Sequence, residues 1–199
     1  AYSVEDPPIY KICTAVFVAP DRLQAGGRPS EQVLQCMPFY LFLDAALKGL
    51  PESYRFKGKV YRGVKWSFPN LQVHSAETFS AYFSVGRKLV WYQPKSTSYD
   101  LQVMENPNFC GIVGARTVFH AEVELGYKIE QFSCYGPQER EVMLPMFTQL
   151  EVIAATALIS VDKSYANNAT DPHHTGAGPD IVILRQVLAP SPPPPPQPT

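Results

Sequence analysis

The sequence is short of several features that would each have narrowed its role. No apolar run in its 199 residues approaches the roughly 18 needed to cross a bilayer as a helix, so no membrane span is expected. Neither sign of charge dominates, with 17 Lys+Arg against 18 Asp+Glu and a net charge of −1. Without a basic excess, nucleic acid and anionic membranes are not the expected partners. The four cysteines, Cys13, Cys36, Cys110 and Cys134, are far apart and form no C-x-x-C pair, which argues against a zinc site. Their even number leaves two disulfides or buried free thiols open. The adjacent His173 and His174 lack a third ligand at suitable spacing, so no metal is expected. The start, Ala1 to Pro8, has neither the charge nor the apolar stretch of a signal peptide. A processed start would look the same, so the compartment stays open.

What is present is material for a packed domain. Hydrophobic residues make up 45% and charged residues 18%, the balance of a globular chain long enough to bury its own core. Residues 9–18 read as a buried strand or a short helix, since periodicity alone cannot separate the two. Gly26, Gly27 and Pro29 then break the chain. Ser30 is placed to cap a helix reaching about Leu50, with Leu41, Phe42, Ala45, Ala46 and Leu47 inside and Pro38 as a kink or split.

Strands are expected at Lys59–Val64, Lys88–Tyr92, Thr117–Val123, Tyr127–Phe132, Glu141–Leu144, Thr148–Ala155 and Ile181–Val187, with Phe79–Phe83 ambiguous. Helix first and strands afterwards indicates an α+β domain over residues 1–188, helical to about 56 and β-rich over 57–188. Residues 162–180 read as a long surface loop, in which Asn168-Ala169-Thr170 fits the N-glycosylation pattern. The tail 189–199 contains Pro192–Pro196 and is expected as extended polyproline II outside the domain. Such a run suits SH3-, WW- or profilin-type grooves, or serves as a linker.

Three segments carry the chemistry. Val60-Tyr61-Arg62-Gly63 sets an arginine on a strand directly before a glycine. Ser96-Thr97-Ser98 follows the strand Leu89–Tyr92. Gln138-Glu139-Arg140-Glu141-Val142-Met143-Leu144-Pro145 brings two carboxylates, two residues apart, into a strand. Singly, each has an ordinary explanation: a surface charge, a polar loop, a solvated strand edge. Their order, spacing and setting together are hard to reach by accident.

In these segments the chain resembles the arginine-type mono-ADP-ribosyltransferases with the R-S-E signature, most closely their eukaryotic ecto-enzyme branch. Gly86, Phe119–Val123 and Gly126-Tyr127-Lys128-Ile129 extend the match, which runs from about Phe39 to Val152. Met143 departs from the usual leucine, a volume-conserving exchange. The resemblance implies a split β-sandwich of two mainly antiparallel sheets, with helices N-terminal and flanking. It also implies NAD as co-substrate, no metal, and an acceptor protein bearing an arginine.

Cleavage of NAD releases nicotinamide through a ribosyl oxocarbenium ion, much as in glycoside hydrolysis. A carboxylate, Glu141, suits the developing positive charge and the ribose 2′-hydroxyl. Arg62 suits the diphosphate, because its planar fork grips phosphate and stays charged. On the resemblance, the Gly63 backbone holds the nicotinamide amide, Ser96 orients Glu141, and Thr97 and Ser98 support strand and pocket. Glu139 would bind the acceptor guanidinium, a poor nucleophile while protonated. Tyr135 is a candidate contact to the acceptor protein or a turn filler. Tyr99 is a candidate stacking partner for NAD, whereas Trp91 is better read as core. An NAD glycohydrolase on the same fold and a catalytically silent NAD- or protein-binding module remain the alternatives.

Overall fold

A computed structural model describes residues 9–18, 22–68, 75–133, 135–158 and 178–188. The polyproline tail, Asn168, His173, His174, Cys134 and most of the 162–180 loop lie outside the described residues. Cys13, Cys36 and Cys110 are free thiols. Among the described residues no helix is long and apolar enough to cross a membrane.

The segment left open between strand and helix forms helix α1, Ile9–Val18. Helix α2 spans Glu31–Lys48, and its Ser30 cap accepts a hydrogen bond from the Val33 N–H at 3.4 Å. Glu31 and Lys48 sit at the ends where the helix dipole favours their signs. The helix passes through Pro38 without splitting.

The inner face of α2 differs from the expected one. Val33, Tyr40, Asp44 and Leu47 are buried, while Leu41 and Phe42 are 54% and 77% exposed. Apolar residues occur on both sides of this helix, so hydropathy does not select a face. Two polar anchors do: the Tyr40 hydroxyl donates to Gln93 Oε1 at 2.9 Å, and Asp44 Oδ1 accepts from the Met146 N–H at 3.1 Å.

The strands are β1 (Arg55–Val64), β2 (Lys88–Trp91), β3 (Lys95–Ser98), β4 (Thr117–Lys128), β5 (Glu141–Leu144), β6 (Thr148–Thr156) and β7 (Asp180–Gln186). The ambiguous stretch near Phe79 is helix α3, Ala76–Tyr82, capped by Ser75. The Ser-Thr-Ser segment is a strand of its own rather than the loop after one. The strand expected at Tyr127–Phe132 ends at Lys128 as the continuation of β4.

β4 organises the sheet. Residues Thr117–Glu122 pair with β7 in parallel on one side and with β1 antiparallel on the other. Its far end, Tyr127–Lys128, turns to pair with β5. Because β5 pairs with β3 and β3 with β1, these four strands close on themselves. The order β4-β7-β6-β2 forms the other half. The expected two-sheet arrangement is therefore present as two halves joined through one long strand, with every pairing antiparallel except β4–β7.

All four residues of β5 are buried. Val142 and Leu144 join the main core with Val60, Val123, Leu150 and Leu184, while Met143 faces a second cluster with Leu47, Tyr127 and Ile129. Trp91 packs against the main core, as its sequence context indicated. β5 is thus covered on both faces, and α2 supplies part of the second cover.

Asp44 is the polar link between α2 and the turn after β5. Asp44→Ala should strand the Met146 N–H in the interior and cost about 1–3 kcal/mol in urea denaturation. Asp44→Asn, which keeps an acceptor, should lose markedly less; equal losses would contradict this role.

Candidate active site

Strand register brings the three motif segments together. In the β3–β5 ladder Ser98 faces Glu141 and Ser96 faces Met143, while Tyr61 of β1 faces Ser98. The Arg62 guanidinium crosses to β3 and donates from Nη1 to the Ser96 carbonyl at 2.7 Å. The Thr97 hydroxyl donates to the Val142 carbonyl at 2.6 Å and so pins β3 to β5. Ser98 Oγ accepts from the Asp100 N–H at 3.0 Å, holding the exit from β3.

A small cleft opens on this junction. Arg62, Gly63, Ser96, Thr97, Ser98, Glu139 and Glu141 all line it. Glu139 reaches the cleft from a 3-10 turn, Pro137–Glu139, not from the strand itself. Between the two glutamates Arg140 adopts the left-handed conformation, φ 47° and ψ 49°. That unusual backbone is held by the Tyr99 N–H, which donates to the Arg140 carbonyl at 3.2 Å, and by an Asp100 ion pair at 3.4 Å.

Glu141 is 4% exposed. Burial pushes its carboxyl above the ordinary value of 4.5, and hydrogen bonds from the Ser96 and Ser133 hydroxyls pull it part of the way back. Its Oε2 is buried with no hydrogen-bond partner. Glu139 is half-buried, and its carboxyl is raised by burial and then by the neighbouring Glu141 charge. The two carboxylates therefore share one poorly solvated space.

Gly63 has a packing reason as well as its position on the cleft. A Cβ there would stand 2.4 Å from Cys110 Cβ and 3.3 Å from the Met104 sulfur, too close for any side chain.

Residues 21–165, most of the chain, match the sequence model of the NAD:arginine ADP-ribosyltransferases. The chain belongs to that family. It is an NAD-dependent ADP-ribosyltransferase. Solved structures agree at the level of fold. The enzyme is similar to the ADP-ribosyltransferase Vis of Vibrio splendidus, determined in complex with agmatine, at 17% identity and a TM-score of 0.59. That match covers 94% of this chain and 71% of that one. It is also similar to HopU1 of Pseudomonas syringae at 21% identity and a TM-score of 0.57, covering 90% of this chain and 66% of that one. The Salmonella SpvB domain gives 20% identity and a TM-score of 0.52, with 94% and 92% covered. Compared with curated protein sequences, the transferase has no match.

Two candidate residues of the transferase stand away from the cleft. The Tyr99 ring stacks on Phe56 at 5.8 Å, and its hydroxyl donates to Glu130 at 3.1 Å. Tyr135 is half-buried in the turn after Ser133, with its N–H donating to Ser133 Oγ at 3.3 Å. Conversely, Tyr61, Val103, Met104 and Phe109 line the cleft without having been singled out from sequence. Val103 and Met104 ride on a short 3-10 helix, Leu101–Glu105, whose first turn is capped by Asp100 Oδ1 at 3.0 Å from the Gln102 N–H. Ser133 reaches Glu141 from a turn whose sequence has no periodicity to mark it.

The raised carboxyl of Glu141 has a consequence for stability. A group harder to ionise in the fold than in the unfolded chain adds stability below its unfolded pKa and loses it as pH rises through the folded one. Glu141→Gln removes the charge and keeps the shape. It should raise Tm over wild type at about pH 8, with the gap closing below the ordinary value of 4.5. A variant no more stable than wild type at the higher pH would contradict the burial cost.

Proposed function

We propose that the enzyme transfers ADP-ribose from NAD to an arginine side chain of a protein acceptor, with release of nicotinamide. The observation that carries this reading is the sharing of one small cleft by two carboxylates, Glu139 and Glu141, beside Arg62 and Ser96. The residues suit NAD on physical grounds. Oε2 of Glu141 lacks the hydrogen-bond donor that a ribose hydroxyl would supply. As substrate, NAD brings an activated N-glycosidic bond whose cleavage leaves positive charge on the ribose.

Glu141 opposes that charge from a poorly solvated position, where electrostatic attraction is less screened than in water. The Ser96 and Ser133 hydroxyls hold its carboxylate in one orientation. Arg62, turned across β3, offers a permanent cation to the diphosphate. Gly63, Thr97 and Ser98 shape the wall between them. Glu139 supports arginine as acceptor: an acidic residue beside Glu141 binds a guanidinium and is placed to orient it and take its proton. Tyr135, close to the same turn, is the candidate contact to the surrounding acceptor protein.

Incubation with NAD and agmatine, a small guanidine, tests the reading by following nicotinamide and ADP-ribosyl-agmatine together. Wild type should form both in step. Glu139→Gln should lose at least about 10-fold in adduct while still releasing nicotinamide, and Glu141→Ala should lose about 100-fold or more in both. Activity should fall on acidification at a pH above 4.5, since both carboxyls are raised from that value and must be ionised. Nicotinamide without adduct in the wild type would make the enzyme a glycohydrolase, or a transferase for another acceptor. An active Glu141→Ala would overturn the mechanism.

A further inference from the structure

Lys95, the residue before Ser96, plays no part in the reading above. Alternation along β3 puts it on the face of Thr97, the same face to which the antiparallel register Tyr61↔Ser98 assigns Arg62. The lysine is half-buried, and among the described residues it has neither an ion pair nor a hydrogen bond. Its one charged neighbour of consequence is another cation, Arg62. An ammonium withdrawn from water beside a guanidinium is unfavourable on both counts. Such a pair is suited to an anion carrying more than one negative charge.

We infer that Lys95 is a second cation for the diphosphate of NAD, acting beside Arg62. The inference rests on the proposed function for the identity of the ligand, but the anion site itself does not. Arg62 reaches from β1 to the Ser96 carbonyl, so its guanidinium lies against the stretch of β3 that carries Lys95. Glu141 pairs with Ser98 in the β3–β5 ladder and so takes the opposite alternation from Lys95.

The environment of Lys95 adds a measurable signature. Burial, and then the Arg62 charge, bring its amine from 10.5 down to about 7. A bound diphosphate would raise it again, so binding above about pH 7 takes up a proton. The NAD diphosphate does not itself titrate there, and Arg62 on β1 stays charged throughout. Glu139 and Glu141, the titratable groups of the cleft that Arg62 lines, are common to wild type and variants, so differences between the proteins report Lys95.

The test is calorimetric titration of the whole protein with NAD in buffers of different ionisation enthalpy, for wild type, Lys95→Arg and Lys95→Met. Wild type should take up a proton, and its affinity should fall by up to about tenfold per pH unit above about 7. Lys95→Arg should bind with no such uptake and a flat profile. Lys95→Met should bind NAD and inorganic pyrophosphate about 10- to 100-fold more weakly at about pH 6, with nicotinamide riboside unaffected. Equal loss of nicotinamide riboside binding would mark a merely structural role and overturn the inference. So would unchanged NAD and pyrophosphate binding in Lys95→Met, or the wild-type pH profile persisting in Lys95→Arg. A wild type that binds pyrophosphate through Lys95 but does not bind NAD would sink the proposed function and leave the anion site standing.

Discussion

An ionised carboxyl removed from water costs several kcal/mol unless hydrogen bonds or charges replace the solvent. Glu141 is 4% exposed, and the structure replaces only part of what it loses. Two hydroxyls, from Ser96 on β3 and Ser133 in the turn after β4, reach it; Oε2 is left without a partner. The remainder of the cleft is arranged around that deficit. Glu139 is held close enough to feel the Glu141 charge, and a cation is turned across the neighbouring strand at Arg62. A site in this condition favours ligands that bring hydroxyl donors and positive charge, which is what NAD cleavage supplies.

Such a carboxylate can be kept buried only by a frame that does not yield. β5 provides it, because both of its faces are covered: the main core takes Val142 and Leu144, and the cluster with Leu47 and Tyr127 takes Met143. Side-chain bonds then pin the neighbouring strands, Thr97 to the Val142 carbonyl and Arg62 to the Ser96 carbonyl. Asp100 ties two walls of the cleft together. Its Oδ1 caps the 3-10 helix that carries Val103 and Met104, and its Oδ2 holds Arg140 between the two glutamates. The strained backbone at Arg140 lets both carboxylates face one space, although they are two residues apart and only one is in a strand.

The motif residues were legible because their chemistry is narrow. An arginine before a glycine, a run of hydroxyls and a Glu-x-Glu in this order suit few purposes, and the structure brings Arg62, Ser96, Glu139 and Glu141 to one cleft. Alternation also announced β4, where Phe119, Ala121 and Val123 are buried. The face of α2 was not legible. Leu41 and Phe42 are as apolar as any core residue, yet Tyr40 and Asp44 are the ones inside, because each finds a partner more than 50 residues away. Ser-Thr-Ser has no hydropathic signal to mark it as a strand; it is one because β1 and β5 flank it.

Local chemistry in the chain was enough to specify the kinds of group at the site, the N-terminal cap of α2, and the family to which the enzyme belongs. These depend on residue identity and short spacing, which are visible without any fold. Only the tertiary structure decided which groups meet. The fold brings Ser133, Met104 and Phe109 to residues far from them in sequence, and leaves Tyr99 stacked on Phe56 outside the lining of the cleft. The same fold places Lys95 beside Arg62 with no acid to pair with it. Burial and long-range pairing are properties of the packed chain, and they move two carboxyls and a lysine away from their ordinary titration ranges.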